Sequence, residues 1–66
     1  MTRLEKEKAA IVRVLESTTT GEAAWRSLVV VAVPPARREL RLIALRQLIR
    51  DGRVQEFGTD IVRLVR

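Results

Sequence analysis

Leu4, Ile11 and Leu15 recur at steps of seven and four, with Val14 and the aliphatic stem of Lys8 beside them. This period predicts an amphipathic helix over TRLEKEKAAIVRVLES, whose Glu and Lys side chains form its solvated side. Thr2 and Glu5 have capping-box spacing, in which a hydroxyl and a carboxylate each satisfy a free backbone amide, so the helix should start there. STTTGEAAW then interrupts the stripe, and Thr19 with Glu22 repeats the capping spacing. A second helix is predicted from about Gly21 to Ala32, presenting Trp25, Leu28, Val29 and Ala32 on one side. Over LVVVAV, rich in β-branched residues, periodicity alone does not separate helix from strand, and helix is favoured.

Pro34 and Pro35 end that element, because a residue before proline leaves the helical region and proline donates no backbone hydrogen bond. Proline also suits the first position of a helix, and a third one is predicted from Ala36 to about Asp51, with Leu42, Leu45, Leu48 and Ile49 on one side. Gly52 is its expected C-cap. In RVQEFGTDIVRLVR two short strand-like runs flank Gly58, Thr59 and Asp60, the signal of a hairpin. A three-residue turn pairs Val54 with Leu64 and sets Phe57 beside Ile61; a two-residue turn wastes Val54 opposite Arg63, so the former is preferred.

Length and composition narrow what such a chain does. With 66 residues it forms a single domain, residues 1–66, and a domain of that size buries only about 60% of its unfolded surface. Neither cysteine nor histidine is present, which removes disulfides, thiolate metal sites and cysteine or histidine catalysis. No glycine-rich phosphate loop precedes a helix and the eight carboxylates are scattered, so no enzyme, cofactor, metal or small-molecule ligand is expected. The longest apolar run, Leu28 to Ala36, falls well short of the roughly 20 residues that cross a bilayer. The N-terminal segment lacks the features of a signal peptide, and a soluble cytoplasmic or nucleoid-associated protein is expected.

The net charge of +5 is unevenly placed. Residues 1–33 carry five basic and four acidic side chains, whereas residues 34–66 carry eight and four. Six arginines fall between Arg37 and Arg53, and clustered cations attract polyanions through release of condensed counterions.

The order helix, helix, proline turn, helix, hairpin, and the string LRQLIRDGRVQEFGTDIVRLV, resemble the end of a winged helix-turn-helix domain. Leu45, Leu48, Gly52, Val54, Gly58 and Leu64 fill the core and turn positions of that pattern, which covers almost the whole chain. The fold class so implied is mainly α with a small β-hairpin, in the order helix-helix-helix-strand-strand. Two prolines in the turn and a valine-rich second helix depart from the pattern.

The resemblance implies that the third helix enters the major groove of double-stranded DNA and that the wing reaches the backbone or the minor groove. Arg37, Arg38 and Arg41 at the helix start, and Arg53, Gly58, Thr59 and Arg63 in or near the wing, are then the candidate DNA contacts, while Asp60 opposes a phosphate. Two readings stand for Arg41, which lies on the backward continuation of the Leu45 and Leu48 stripe. Either the helix outruns the core there and meets DNA, or the stem of Arg41 covers the first helix. Arg46 and Arg50 lie with Glu39 on another face and read as solvated charges; Ile43, near them, packs beneath the second helix or belongs to a subunit contact. Trp25 reads as a core anchor rather than a base-stacking platform.

The expected function is that of a small transcriptional regulator or architectural factor with no room for an effector domain. A winged-helix protein-interaction module within a larger assembly is the alternative, since fold does not fix function, and RNA is a further target for a basic face. Self-association, at least on DNA, is favoured because such proteins often bind paired half-sites; Val12, Val30 and Val31 are either the contacts of such a homodimer or, for the second-helix valines, part of a broad face buried within the monomer.

Overall fold

The computed structural model describes residues 2–65. Helix α1 (Arg3–Ser17) starts at the expected capping box: the Thr2 hydroxyl accepts from the Glu5 amide at 3.1 Å, and a Glu5 carboxylate oxygen accepts from the Thr2 amide at 3.3 Å. It ends at Thr18, whose amide and hydroxyl both donate to the Leu15 carbonyl. A threonine of STTTG thus closes the first helix, and the Thr19–Glu22 spacing caps no helix.

Gly21, at φ 74°, turns the chain into strand β1 (Glu22–Ala24), where a helix was expected. Tertiary pairing overrides alanine's helix propensity here. The Leu64 amide donates to the Gly21 carbonyl at 2.8 Å and the Trp25 amide to the Asp60 carbonyl at 2.9 Å, so both ends of β1 are fixed to the hairpin. The second helical segment is therefore shorter than expected, a π turn over Ser27–Val31. Its Leu28 and Val29, and Val33 just beyond, are buried.

Pro34 is extended, Pro35–Arg37 forms one 3₁₀ turn, and helix α2 runs Arg38–Arg50. Its end is a Schellman closure: the Gly52 amide donates to the Ile49 carbonyl and the Arg53 amide to that of Leu48, with Gly52 at φ 79°. Strands β2 (Val54–Phe57) and β3 (Ile61–Leu64) pair antiparallel with Val54 opposite Leu64 and Phe57 opposite Ile61, the register of a three-residue turn.

The sheet order is β1-β3-β2, all antiparallel. The molecule is mainly helical with a three-stranded sheet, an arrangement compatible with a winged-helix-like fold. It differs from the expected helix-helix-helix-strand-strand order by the strand after α1 and by the short π segment, followed by one 3₁₀ turn, that stands in place of a full second helix. Val54 and Val62 join Ile11, Leu15, Leu28, Val29, Ala44, Leu45 and Leu48 in one core. Trp25, Leu42, Ile49 and Leu64 are only partly buried against it. No helix among the described residues is long and apolar enough to cross a membrane.

Candidate nucleic-acid interface

The buried stripe of α2 is Arg41, Ala44, Leu45 and Leu48, which places a charge in the interior. Glu7, on α1, is the reason. It lies three residues after Leu4 and four before Ile11, on the inward side of its own helix, and is buried there rather than solvated. Its Oε2 stands 3.3 Å from Arg41 Nη2, with both side chains only 5% exposed. Arg37 closes the triad from outside. Its Nη2 donates to Glu7 Oε1 at 2.8 Å and to Oε2 at 3.2 Å, its Nε to Oε1 at 3.2 Å, and its side chain is 55% exposed.

Burial alone raises the Glu7 pKa. The hydrogen bond from Arg37 and the charges of Arg41 and Arg37 outweigh it and hold the carboxyl below its ordinary 4.5. An ionised Glu7 therefore fixes both arginines. This corrects the expectation that the start of the helix outruns the core at Arg41: the guanidinium is inside, where no phosphate reaches it. Its Nε is buried without a hydrogen-bond partner.

The remaining candidates lie on different sides of the molecule. Arg38 is exposed at the start of α2. Arg53 borders a shallow depression with Val12, Arg13 and Glu16, so it sits against the flank of α1 rather than with the wing tip. Arg63 points from the outer side of the sheet, 3.8 Å from Glu22 and with its guanidinium 5.7 Å from the centre of the Phe57 ring. Gly58 and Thr59 form the exposed wing tip, Gly58 at φ 66°. Together with Arg46 they line a groove of about 240 Å³ between α2 and the hairpin, to which Trp25, Leu42, Ile49 and Val62 contribute apolar surface. Trp25 thus stands between core and groove.

The outward side of α2 carries Glu39, Ile43, Arg46 and Arg50, all exposed. Ile43 is 42% exposed, so it does not pack beneath the second helical segment. Among the described residues Arg38, Arg46 and Arg50 make no ion pair, in contrast to Arg37, Arg41 and Arg63. The free cations of this helix are therefore the first-turn Arg38 and two residues that read as plain solvated charges in the sequence. The signal for them lay in the wheel itself, since Arg46 and Arg50 stand opposite Leu45 and Leu48 once Arg41 and Ala44 are placed inside.

A second surface is the outer side of the sheet, where Phe57 and Ile61 are cross-strand neighbours and both exposed, and where Val65 is exposed beyond the end of β3. Among the described residues no cluster of acidic side chains is placed to hold a metal ion. Comparison of the chain with protein-family models, with curated proteins and with solved structures finds no match.

Proposed function

We propose that this chain is a winged-helix protein that binds double-stranded DNA, with α2 in the major groove and the wing tip beside it, and that it acts by binding rather than by catalysis. The observation that carries the reading is the set of exposed arginines Arg38, Arg46 and Arg50 on one helix, without an ion pair among the described residues, of which Arg46 lines the groove bordered by Gly58 and Thr59. A helix fits the width of the major groove, guanidinium forks grip phosphates or guanine edges, and a glycine-tipped turn allows close approach to a backbone. Arg37 is half exposed and adds positive potential at the start of α2, although Glu7 holds its fork.

Titrating a duplex at increasing salt tests this. Three phosphate contacts predict a slope of log K against log salt of about −2.7, steeper if further cations take part. Binding that ignores salt, or no binding at low salt, rules the proposal out; tighter binding to RNA of the same sequence transfers it to RNA. Self-association on two half-sites belongs to the same proposal. Val31, 79% exposed, is its contact, because Val12 and Val30 are partly buried against the core.

A protein-interaction role within a larger assembly is the second reading. Exposed apolar side chains on the outer side of the sheet, Phe57 with Ile61 and Val65, favour it, although Ile61 also borders the groove beside α2. Phe57→Ser would weaken assembly under this reading and leave DNA affinity unchanged under the first.

A further inference from the structure

Ile43 occupies the middle of the outward side of α2, with Glu39 one turn before it and Arg46 and Arg50 in the turns after it. It is 42% exposed and does not belong to the set of partly buried side chains packed against the core. A β-branched residue is also a poorer helix former than the Ala, Leu, Glu or Lys that a solvated helix position favours. Its neighbours are the side chains that hydrogen-bond base edges. A carboxylate accepts from the cytosine amino group, and arginine donates to guanine O6 and N7. From Glu39 to Arg50 the helix rises about 16 Å at 1.5 Å per residue, the length of roughly five base-pair steps at 3.4 Å. An apolar side chain at the centre of such a row meets the one apolar group that base edges present in the major groove, the methyl on C5 of a pyrimidine.

We infer that Ile43 is a specificity-determining residue that packs against a pyrimidine C5-methyl group, an inference that rests on the DNA-binding reading above. Thymine and 5-methylcytosine both carry that group. The two sources are separated by removing the methyl from one and adding it to the other.

The test starts from the duplex that the protein enriches out of a random pool. Each thymine is replaced singly by deoxyuridine, and each cytosine singly by 5-methylcytosine, and affinities are measured for the native chain, Ile43→Ala and Ile43→Val. A buried methyl of about 0.8 kcal/mol corresponds to about fourfold in affinity. If thymine is the target, the native chain loses about fourfold at one deoxyuridine; if 5-methylcytosine is, it gains about fourfold at one methylated cytosine. In either case Ile43→Val keeps most of that discrimination and Ile43→Ala loses it, with the salt slope unchanged in both. Equal affinities across all methyl changes in the native chain overturn the contact, as does methyl discrimination that persists in Ile43→Ala. Enrichment of no preferred duplex, with salt-dependent binding intact, overturns the contact and leaves the DNA reading standing. Absence of salt-dependent binding to any duplex overturns both.

Discussion

Glu7 determines what two arginines are free to do. Removing one partner of a buried ion pair leaves a charge without compensation, which costs about 3 to 5 kcal/mol, whereas replacing the whole pair by apolar residues of similar size is often neutral or stabilising. Glu7→Gln should therefore lower the urea midpoint strongly, and Glu7→Leu combined with Arg41→Met should recover most of the loss. If the double replacement is as unstable as Glu7→Gln, Arg41 does not depend on Glu7. The acid limb of stability follows from the same carboxyl. Its folded pKa is lowered, so the stability it adds is fully present above 4.5 and is lost as pH falls through the folded value. Glu7→Gln should be less stable at neutral pH and should lose less on acidification below 4.5, read from urea midpoints at the two ends. Of this pair, the sequence pattern drew attention to Arg41 alone, because Glu7 passed for one more solvated charge of the first helix. Glu7 stands on the Leu4–Ile11 stripe and Arg41 four residues before Leu45, each a charge where an apolar residue belongs. Periodicity is local, and nothing in it says that two such misfits, 34 residues apart, meet.

Among the elements, those with local chemical signals were legible. The capping box, the glycine closure of α2 and the three-residue hairpin turn all depend on residues within a few positions of each other, and all three are observed. Strand β1 and the π turn were not, because Glu22–Ala24 is extended only by virtue of β3, some 40 residues on, and Gly21 turns it there. Gly52→Ala isolates one local signal. Apart from its own residue and chain neighbours, no atom lies within 4 Å of the added Cβ, so the cost is that of a positive φ alone, about 1 to 2 kcal/mol in a thermal melt. A cost near zero would mean that the end of α2 rearranges without loss. The hairpin's share of the core is set by which side chains β3 turns inward. Val62 is buried and Leu64 only partly so, which moves weight away from the expected Leu64. Leu48→Ala, at a fully buried site, should cost about 2 to 5 kcal/mol, and Leu64→Ala clearly less. The reverse ranking would place the core under the end of the hairpin.

For the whole molecule, the surplus of positive charge is a cost in isolation and an asset beside a polyanion. Half of this was legible, since the clustering of arginine after Pro35 is plain in the sequence, but which arginines are free depends on the three-dimensional pairing with Glu7. Arg46 and Arg50 stand four apart on α2 and make no ion pair among the described residues. Like charges at that spacing destabilise a helix by about 0.2 to 0.5 kcal/mol, less as salt screens them. Arg50 also sits at the helix C-terminus, where a cation is favourable, so Arg46 is the cleaner position to neutralise. Arg46→Gln keeps length and helix propensity while removing the charge. The protein alone should then gain a few tenths of a kcal/mol at low salt, with the gain fading at high salt, and its DNA titration should flatten by about 0.9 in the slope of log K against log salt. The two changes have opposite signs, and that opposition separates a functional arginine from an incidental one, because residues kept for function often cost stability. Urea midpoints at two salt concentrations and one salt series on duplex DNA give both readings, and a gain in stability with an unchanged DNA slope would remove Arg46 from the interface.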